Sequence, residues 1–152
     1  MNPGGIDTRP TISRQVSEDI GCPEMDARSA LLALPPIPSE HFRALARSPV
    51  LQEVETGGAS PDALTEAPSP ARVVLWNAER LKYINDSAAF LTGLRVDVIL
   101  LAEVDIGMAR SHQKHPVRDL AELLGMGYVY ATEFVELGLG DQRERTWFAG
   151  EE

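Results

Sequence analysis

Apolar positions keep two different rhythms in the second half of the chain. Arg72-Val-Val-Leu-Trp76 is a run of β-formers that follows a proline, and it predicts a strand. From Arg80 to Leu94 the spacing changes: Leu81, Ile84, Ala88, Leu91 and, less regularly, Leu94 fall on one side of a 3.6-residue repeat, which predicts an amphipathic helix. Asp97-Val-Ile-Leu-Leu-Ala-Glu103 is a continuous apolar run bounded by acids, the pattern of a strand buried on both faces. His115 to Gly125 returns to helical spacing, with Pro116 near the start, Val117, Leu120, Leu123 and Leu124 as the stripe, and Gly125 as a natural stop. Tyr128 to Phe134 alternates and is rich in β-formers, so a third strand is expected. The order β-α-β-α-β over residues 71–145 predicts a layered α/β fold.

The first half follows neither rhythm. Ten of the eleven prolines lie in residues 1–70, the exception being Pro116. Residues 1–23 mix Gly, Pro, Ser, Thr and charge without a period and are expected to be a disordered tail. Residues 24–55 hold two short helical candidates, a helical arm. One, from Glu24 to Leu34, carries Met25, Ala30, Leu31 and Leu34 and stops at Pro35-Pro36. The other, from Ser39 to Glu55, has Ser39 as an N-cap and Phe42, Leu45, Ala46, Val50, Leu51 and Val54 near helical spacing, broken at Pro49. Whether this arm docks on a partner domain or stays loosely structured is left open by the pattern. Residues 56–70 contain Gly57-Gly58 and three prolines and read as a linker; residues 71–152 form the ordered domain.

Composition narrows the chemistry. The 152 residues carry a formal net charge of −9, −5 in residues 1–70 and −4 in residues 71–152, so the halves differ in pattern rather than charge. An acidic chain without clustered Lys and Arg has no basic nucleic-acid patch and is a poor passive binder of polyanions, although a divalent metal could still hold a phosphate substrate. The single cysteine, Cys22, can close no internal disulfide and supports no cysteine-based metal cluster. No apolar run approaches the ~20 residues of a membrane span. The first residues lack a basic region followed by an apolar one, so no secretory signal is expected and a cytoplasmic location is.

Two segments concentrate candidate chemistry. Leu75-Trp-Asn-Ala-Glu79 closes the first expected strand, and Leu100-Leu-Ala-Glu-Val-Asp105 closes the second. In open α/β sheets, chemistry collects at the carboxyl ends of strands, where loops converge on one crevice. Asn77, Glu79, Glu103 and Asp105 supply one amide oxygen and three carboxylates, hard donors that suit Mg²⁺ or Mn²⁺. The same acids also fit ordinary turn residues or helix caps, and Glu79 fits a first-turn acid that favours the helix dipole.

A strand ending in Trp-Asn-x-Glu, followed after one helix by a strand ending in Leu-Leu-x-Glu-Val-Asp, resembles the opening of the endonuclease/exonuclease/phosphatase family, metal-dependent phosphoesterases with a deoxyribonuclease-like fold. The likeness continues through Ile106 to Ser111, the helix around Leu120-Ala-Glu-Leu-Leu-Gly125, and Tyr128-Val-Tyr with Glu133-Phe134. It implies a four-layer α/β sandwich, of which this chain would be the amino-terminal part. It also implies that Glu103 is the principal Mg²⁺ (or Mn²⁺) ligand and that Asn77 orients the metal-bound phosphate or serves as a ligand. Glu79 falls where some members carry an acid near the metal. Asp105 is expected to brace the loop. Arg110 fits either a phosphate contact or a solvated loop cation.

The family also needs a later Asp-x-Asn pair and a carboxyl-terminal catalytic His, and neither motif occurs downstream of Glu103. His112 and His115 come too early, and their His-x-x-His spacing without a third ligand reads as a surface turn. The expectation is therefore the amino-terminal portion of a Mg-dependent phosphoesterase with no substantial hydrolase activity alone. Its substrate would be DNA, RNA, a phospholipid or another phosphoester. The alternative is a non-catalytic remnant kept as a binding module, associating through an exposed sheet.

Overall fold

The computed structural model describes residues 15–59, 69–111, 114–137 and 142–147. The chain is a mixed α/β protein built on two small sheets. Strand β3 (Val73–Asn77) leads through a tight turn at Glu79–Leu81 into helix α3 (Ile84–Leu94), and strand β4 (Val98–Ala102) returns parallel to β3. Helix α4 (Pro116–Leu124) and strand β5 (Gly127–Ala131) follow. This is the β-α-β-α-β order expected for the second half. The strand expected to run to Phe134 stops at Ala131, and Phe134 is exposed.

The core lies on one side of the β3–β4 pair. Leu91, with no exposed surface, packs with Leu81, Ala88, Leu120 and Ala78, and with Val74, Trp76, Ile99 and Leu101 from the strands. Helix α4 begins as its sequence dictates, with Pro116 in the first turn, where the missing N–H costs nothing. It ends at Gly125 in the left-handed conformation, φ +63°, which glycine adopts without strain.

Burial along β4 corrects one expectation. The apolar run was expected to be covered on both faces, but only its alternate residues, Ile99 and Leu101, turn toward the helices. Val98 and Leu100 point away, beside Val73 and Leu75 of β3 with which they are in register, and all four are exposed. Two helices cover one side of this sheet, and no described residue covers the other.

The first half is more ordered than its composition suggests. Strand β1 (Gln15–Ser17) lies inside the stretch expected to be a disordered tail. Helices α1 (Met25–Leu32) and α2 (Pro38–Leu45) occupy the helical candidates, and a 3-10 turn at Pro49–Leu51 marks the break expected at Pro49. Strand β2 (Glu53–Gly58) then crosses the boundary drawn between arm and linker. It pairs parallel with β1 and antiparallel with β5, forming the second sheet, so β5 joins β2 rather than β3 and β4. Gly57 sits opposite Tyr128, whose hydroxyl would lie 2.7 Å from any Cβ placed there. One of the two glycines that read as a linker, Gly57, is thus the room a tyrosine ring needs. A short helix α5 (Gln142–Trp147) closes the described chain. Among the described residues no helix is long and apolar enough to cross a membrane.

One carboxylate ties the second sheet to the helices. Glu55 on β2 has no exposed surface. Its Oε1 accepts from the Tyr128 hydroxyl at 2.6 Å and from Arg118 Nη2 at 2.9 Å, and its Oε2 accepts from the Ile20 amide at 2.9 Å. Burial pushes the Glu55 carboxyl up, but the Tyr128, Ile20 and Arg118 hydrogen bonds outweigh it and hold the group below its ordinary value of 4.5. His115, read from sequence as part of a surface turn, lies beside this carboxylate with its side chain 9% exposed and caps α4, its Nδ1 accepting from the Arg118 amide at 3.3 Å. That bond places the ring proton on Nε2, 3.3 Å from Glu55 Oε1 but poorly aimed, so Nε2 has no hydrogen-bond partner among the described residues. Burial lowers the His115 pKa below its ordinary 6.5, against the opposing pull of Glu55. His112 lies outside the described residues.

Both shifts point the same way. A group whose folded pKa is depressed contributes stability above its unfolded pKa and loses it as pH falls toward the folded value. Stability should therefore drop from about pH 6.5 downward through His115, and drop again below about pH 4.5 through Glu55. Thermal melts of His115→Gln should lose the upper part of that slope while keeping the lower. Glu55→Ala, which strands the Tyr128 hydroxyl and the Ile20 amide, should cost about 3 kcal/mol in urea unfolding at pH 7.

Candidate metal site at the carboxyl ends of β3 and β4

Parallel pairing brings two distant residues together. Asn77 is the last residue of β3, in register with Ala102, and Glu103 is the next residue along β4. The loops beyond the strands stay joined: the Ala78 amide donates to Ala102 O at 3.0 Å, and the Arg80 amide to Glu103 O at 2.7 Å. Side chains that are 26 residues apart then meet, Asn77 Nδ2 donating to Glu103 Oε1 at 2.6 Å. Both are solvent-accessible.

The backbone here is strained. Glu79, Arg80, Leu81 and Glu103 all have positive φ, at 43°, 70°, 52° and 55°. A side chain in that region costs on the order of 1 kcal/mol or more per residue and persists only where surrounding contacts over-determine it. Leu81 supplies such a contact, buried in the core, and the Arg80–Glu103 backbone bond supplies another. Four such residues at two adjoining strand ends store strain where function usually needs it.

The remaining expected residues divide. Glu79 is not drawn into the Asn77–Glu103 pair by its carboxylate, which reaches Lys82 Nζ at 3.0 Å and is 81% exposed; only its amide points inward, toward Asn77 Oδ1 at 3.4 Å. Asp105 braces the loop, buried and doubly hydrogen-bonded to Arg110 at 2.6 and 3.1 Å. Arg110 is a buried partner of Asp105 and Glu136 rather than a solvated loop cation. The hydrogen bonds that Arg110 donates to Asp105 outweigh burial and raise the Arg110 pKa above the ordinary guanidinium range. Arg80, 3.5 Å from Asp105, keeps part of its side chain exposed and lines the same groove as Glu103.

The donor chemistry tests whether a divalent cation fits. Glu103 offers a carboxylate, and Asn77 Oδ1 is a carbonyl oxygen engaged, among the described residues, only by a long contact from the Glu79 amide. Mg²⁺ commonly uses one or two carboxylates and completes its shell with water and substrate oxygens. The pair fits such a shared site. It does not fit an all-protein cage, and no group of three His, Cys, Asp or Glu side chains that could hold a metal occurs among the described residues.

The residues that sequence reasoning missed are Glu55, Arg118, Tyr128 and Asp19, which accepts from Arg118 Nη2 at 3.2 Å. No local signal marks them, because their cluster forms only when β2 meets β5. Comparison of the chain with protein-family models, with curated proteins and with solved structures finds no match.

The short Asn77–Glu103 bond has a direct consequence. Asn77→Asp would set two carboxylates side by side, raising the pKa of one of them and removing a charge-assisted hydrogen bond. Denaturant unfolding at pH 7 without metal should lose about 2 kcal/mol, with much of the loss recovered below pH 4 or on adding millimolar Mg²⁺.

Proposed function

We propose that the chain carries the metal-binding half of a Mg- or Mn-dependent phosphoester-hydrolysing site of the endonuclease/exonuclease/phosphatase kind, in a partial deoxyribonuclease-like sandwich. The observation that supports this most is the meeting of Asn77 and Glu103 at strained, adjoining strand ends. The β-α-β-α-β order of residues 73–131 agrees with it. On this reading Glu103 and Asn77 hold the cation, which when bound polarises a phosphoryl oxygen of the substrate. Arg80, part-exposed beside Glu103, is the better candidate for a phosphate contact than the buried Arg110. Glu79, tethered to Lys82, keeps its carboxylate outside the pair. A cytoplasmic location goes with the same reading.

Hydrolysis also needs a positioned base. The described histidines are His41 and His115; His41 lies against Pro35 O at 3.0 Å and His115 against Glu55. Neither serves the Asn77–Glu103 pair, so this half binds cation and phosphate while the base comes from other residues. Titration with MnCl₂, followed by paramagnetic broadening of amide signals, should affect residues around 77–80 and 102–104 first. Glu103→Gln should weaken Mn²⁺ binding about tenfold or more. Equal broadening in the wild type and Glu103→Gln, or none at these positions, would overturn the reading.

The outward face of β3 and β4 favours a second reading, an interaction module. Val73, Leu75, Val98 and Leu100 form a contiguous exposed apolar surface, with Leu75 79% exposed. If that face mediates association, Leu75→Glu should abolish concentration-dependent dimerisation in sedimentation velocity. Because Leu75 is outside the core, the change should move stability by no more than about 0.5 kcal/mol.

A further inference from the structure

Strands β4 and β5 each have one edge that no described strand pairs with. Among the described residues β4 pairs only with β3, and β5 only with β2. Between them runs a groove of about 800 Å³. It touches every residue from Asp97 to Ile106 and every residue from Met126 to Glu136. A cavity lying on the face of a strand would meet alternate residues, since successive side chains point to opposite sides. Contact with every residue means that the groove sees both strands edge-on, where their backbone N–H and C=O groups are presented. Its floor is the apolar stripe of α4, formed by Val117, Leu120, Ala121 and Leu124.

The size of the groove matches one kind of occupant. A residue in a packed strand fills about 160 Å³, from a rise of ~3.3 Å, a strand spacing of ~4.8 Å and a layer about 10 Å thick. The groove therefore holds about five residues, the length of β4 and of β5 themselves. Its rim is acidic. Asp97 and Glu103 flank β4, and Glu133 lies beyond β5; the lining cations are already engaged, Arg28 with Pro23 and Cys22 and Arg80 with Asp105, and Glu136 is paired with Arg110.

We propose that this groove takes up an extended segment of a partner polypeptide. The segment would have about five residues with apolar side chains in alternation and a basic residue at each end, and it would pair with β4 and β5 at once. Strand addition of this kind draws affinity from main-chain hydrogen bonds and specificity from alternate side chains. Here the inward side chains would rest on α4, and the basic ends would meet the acidic rim. The joined sheet would run continuously from β3 to β1. This inference deepens the interaction reading, naming the strand edges rather than the outward sheet face as the docking surface.

The test uses the full chain in EDTA and a fluorescent, end-capped heptapeptide, Lys-Val-Thr-Val-Thr-Val-Lys, with binding read by anisotropy and its location by amide hydrogen exchange. The expected result is saturable binding with new protection confined to β4 and β5. Replacing the central valine by proline, which removes a backbone donor and bends the strand, should weaken binding about tenfold. Glu133→Lys should weaken the lysine-flanked peptide about threefold and strengthen a glutamate-flanked one by a similar factor. Leu75→Glu, on the outward face, should leave peptide binding unchanged while still abolishing any dimer, which separates the two surfaces. Absence of binding, equal binding of the proline peptide, or protection mapping to β3 or β1 would overturn the proposal. Concentration-dependent protection of β4 and β5 without peptide would overturn it in favour of a second copy of this chain as the occupant.

Discussion

A carboxylate with no access to water must be answered by donors, and Glu55 is answered from three other parts of the chain. The Ile20 amide comes from the amino-terminal segment, Arg118 from α4, Tyr128 from β5, and Glu55 itself from β2. All three donors converge on one buried carboxylate, so these elements are held as a set. The β1–β2–β5 sheet has few large apolar side chains of its own in the core, which is formed by α3, α4, β3 and β4. Polar satisfaction, rather than apolar burial, positions this sheet against the rest.

The two sheets were unequally legible in the amino-acid pattern for the same reason. The β3–α3–β4 unit announces itself locally: β-formers, a 3.6-residue stripe, a second apolar run. Asn77 and Glu103 could be placed together because each closes a strand of one parallel pair. Strand β2 gives no such signal. Its Glu-Val-Glu-Thr-Gly-Gly sequence is poor in strand formers, and it becomes a strand only because Tyr128 covers Gly57 and because Arg118 and Tyr128 receive Glu55. His115 was misread for the matching reason: its buried partner lies 60 residues earlier in the chain. The exposed side of β4 was misread because a continuous apolar run is the same whether one face or both are covered.

The candidate site and the proposed docking groove share a boundary in Glu103, which belongs to the strained strand ends and also lines the slot between β4 and β5. A strand seated in that slot would end beside the Asn77–Glu103 pair. The apolar faces left outside and the edges left unpaired are two aspects of one geometry, a sheet interrupted at β4.

The pairing registers also set how far the chain must reach to close each sheet. Val74 and Ile99, partners across β3 and β4, are 25 residues apart, whereas Glu55 and Tyr130, partners across β2 and β5, are 75 apart. A threefold longer loop costs about 1 kcal/mol more in chain entropy to close. The strand ends that bear Asn77 and Glu103 thus belong to the short-range unit, which can assemble before the amino-terminal segment has found its place.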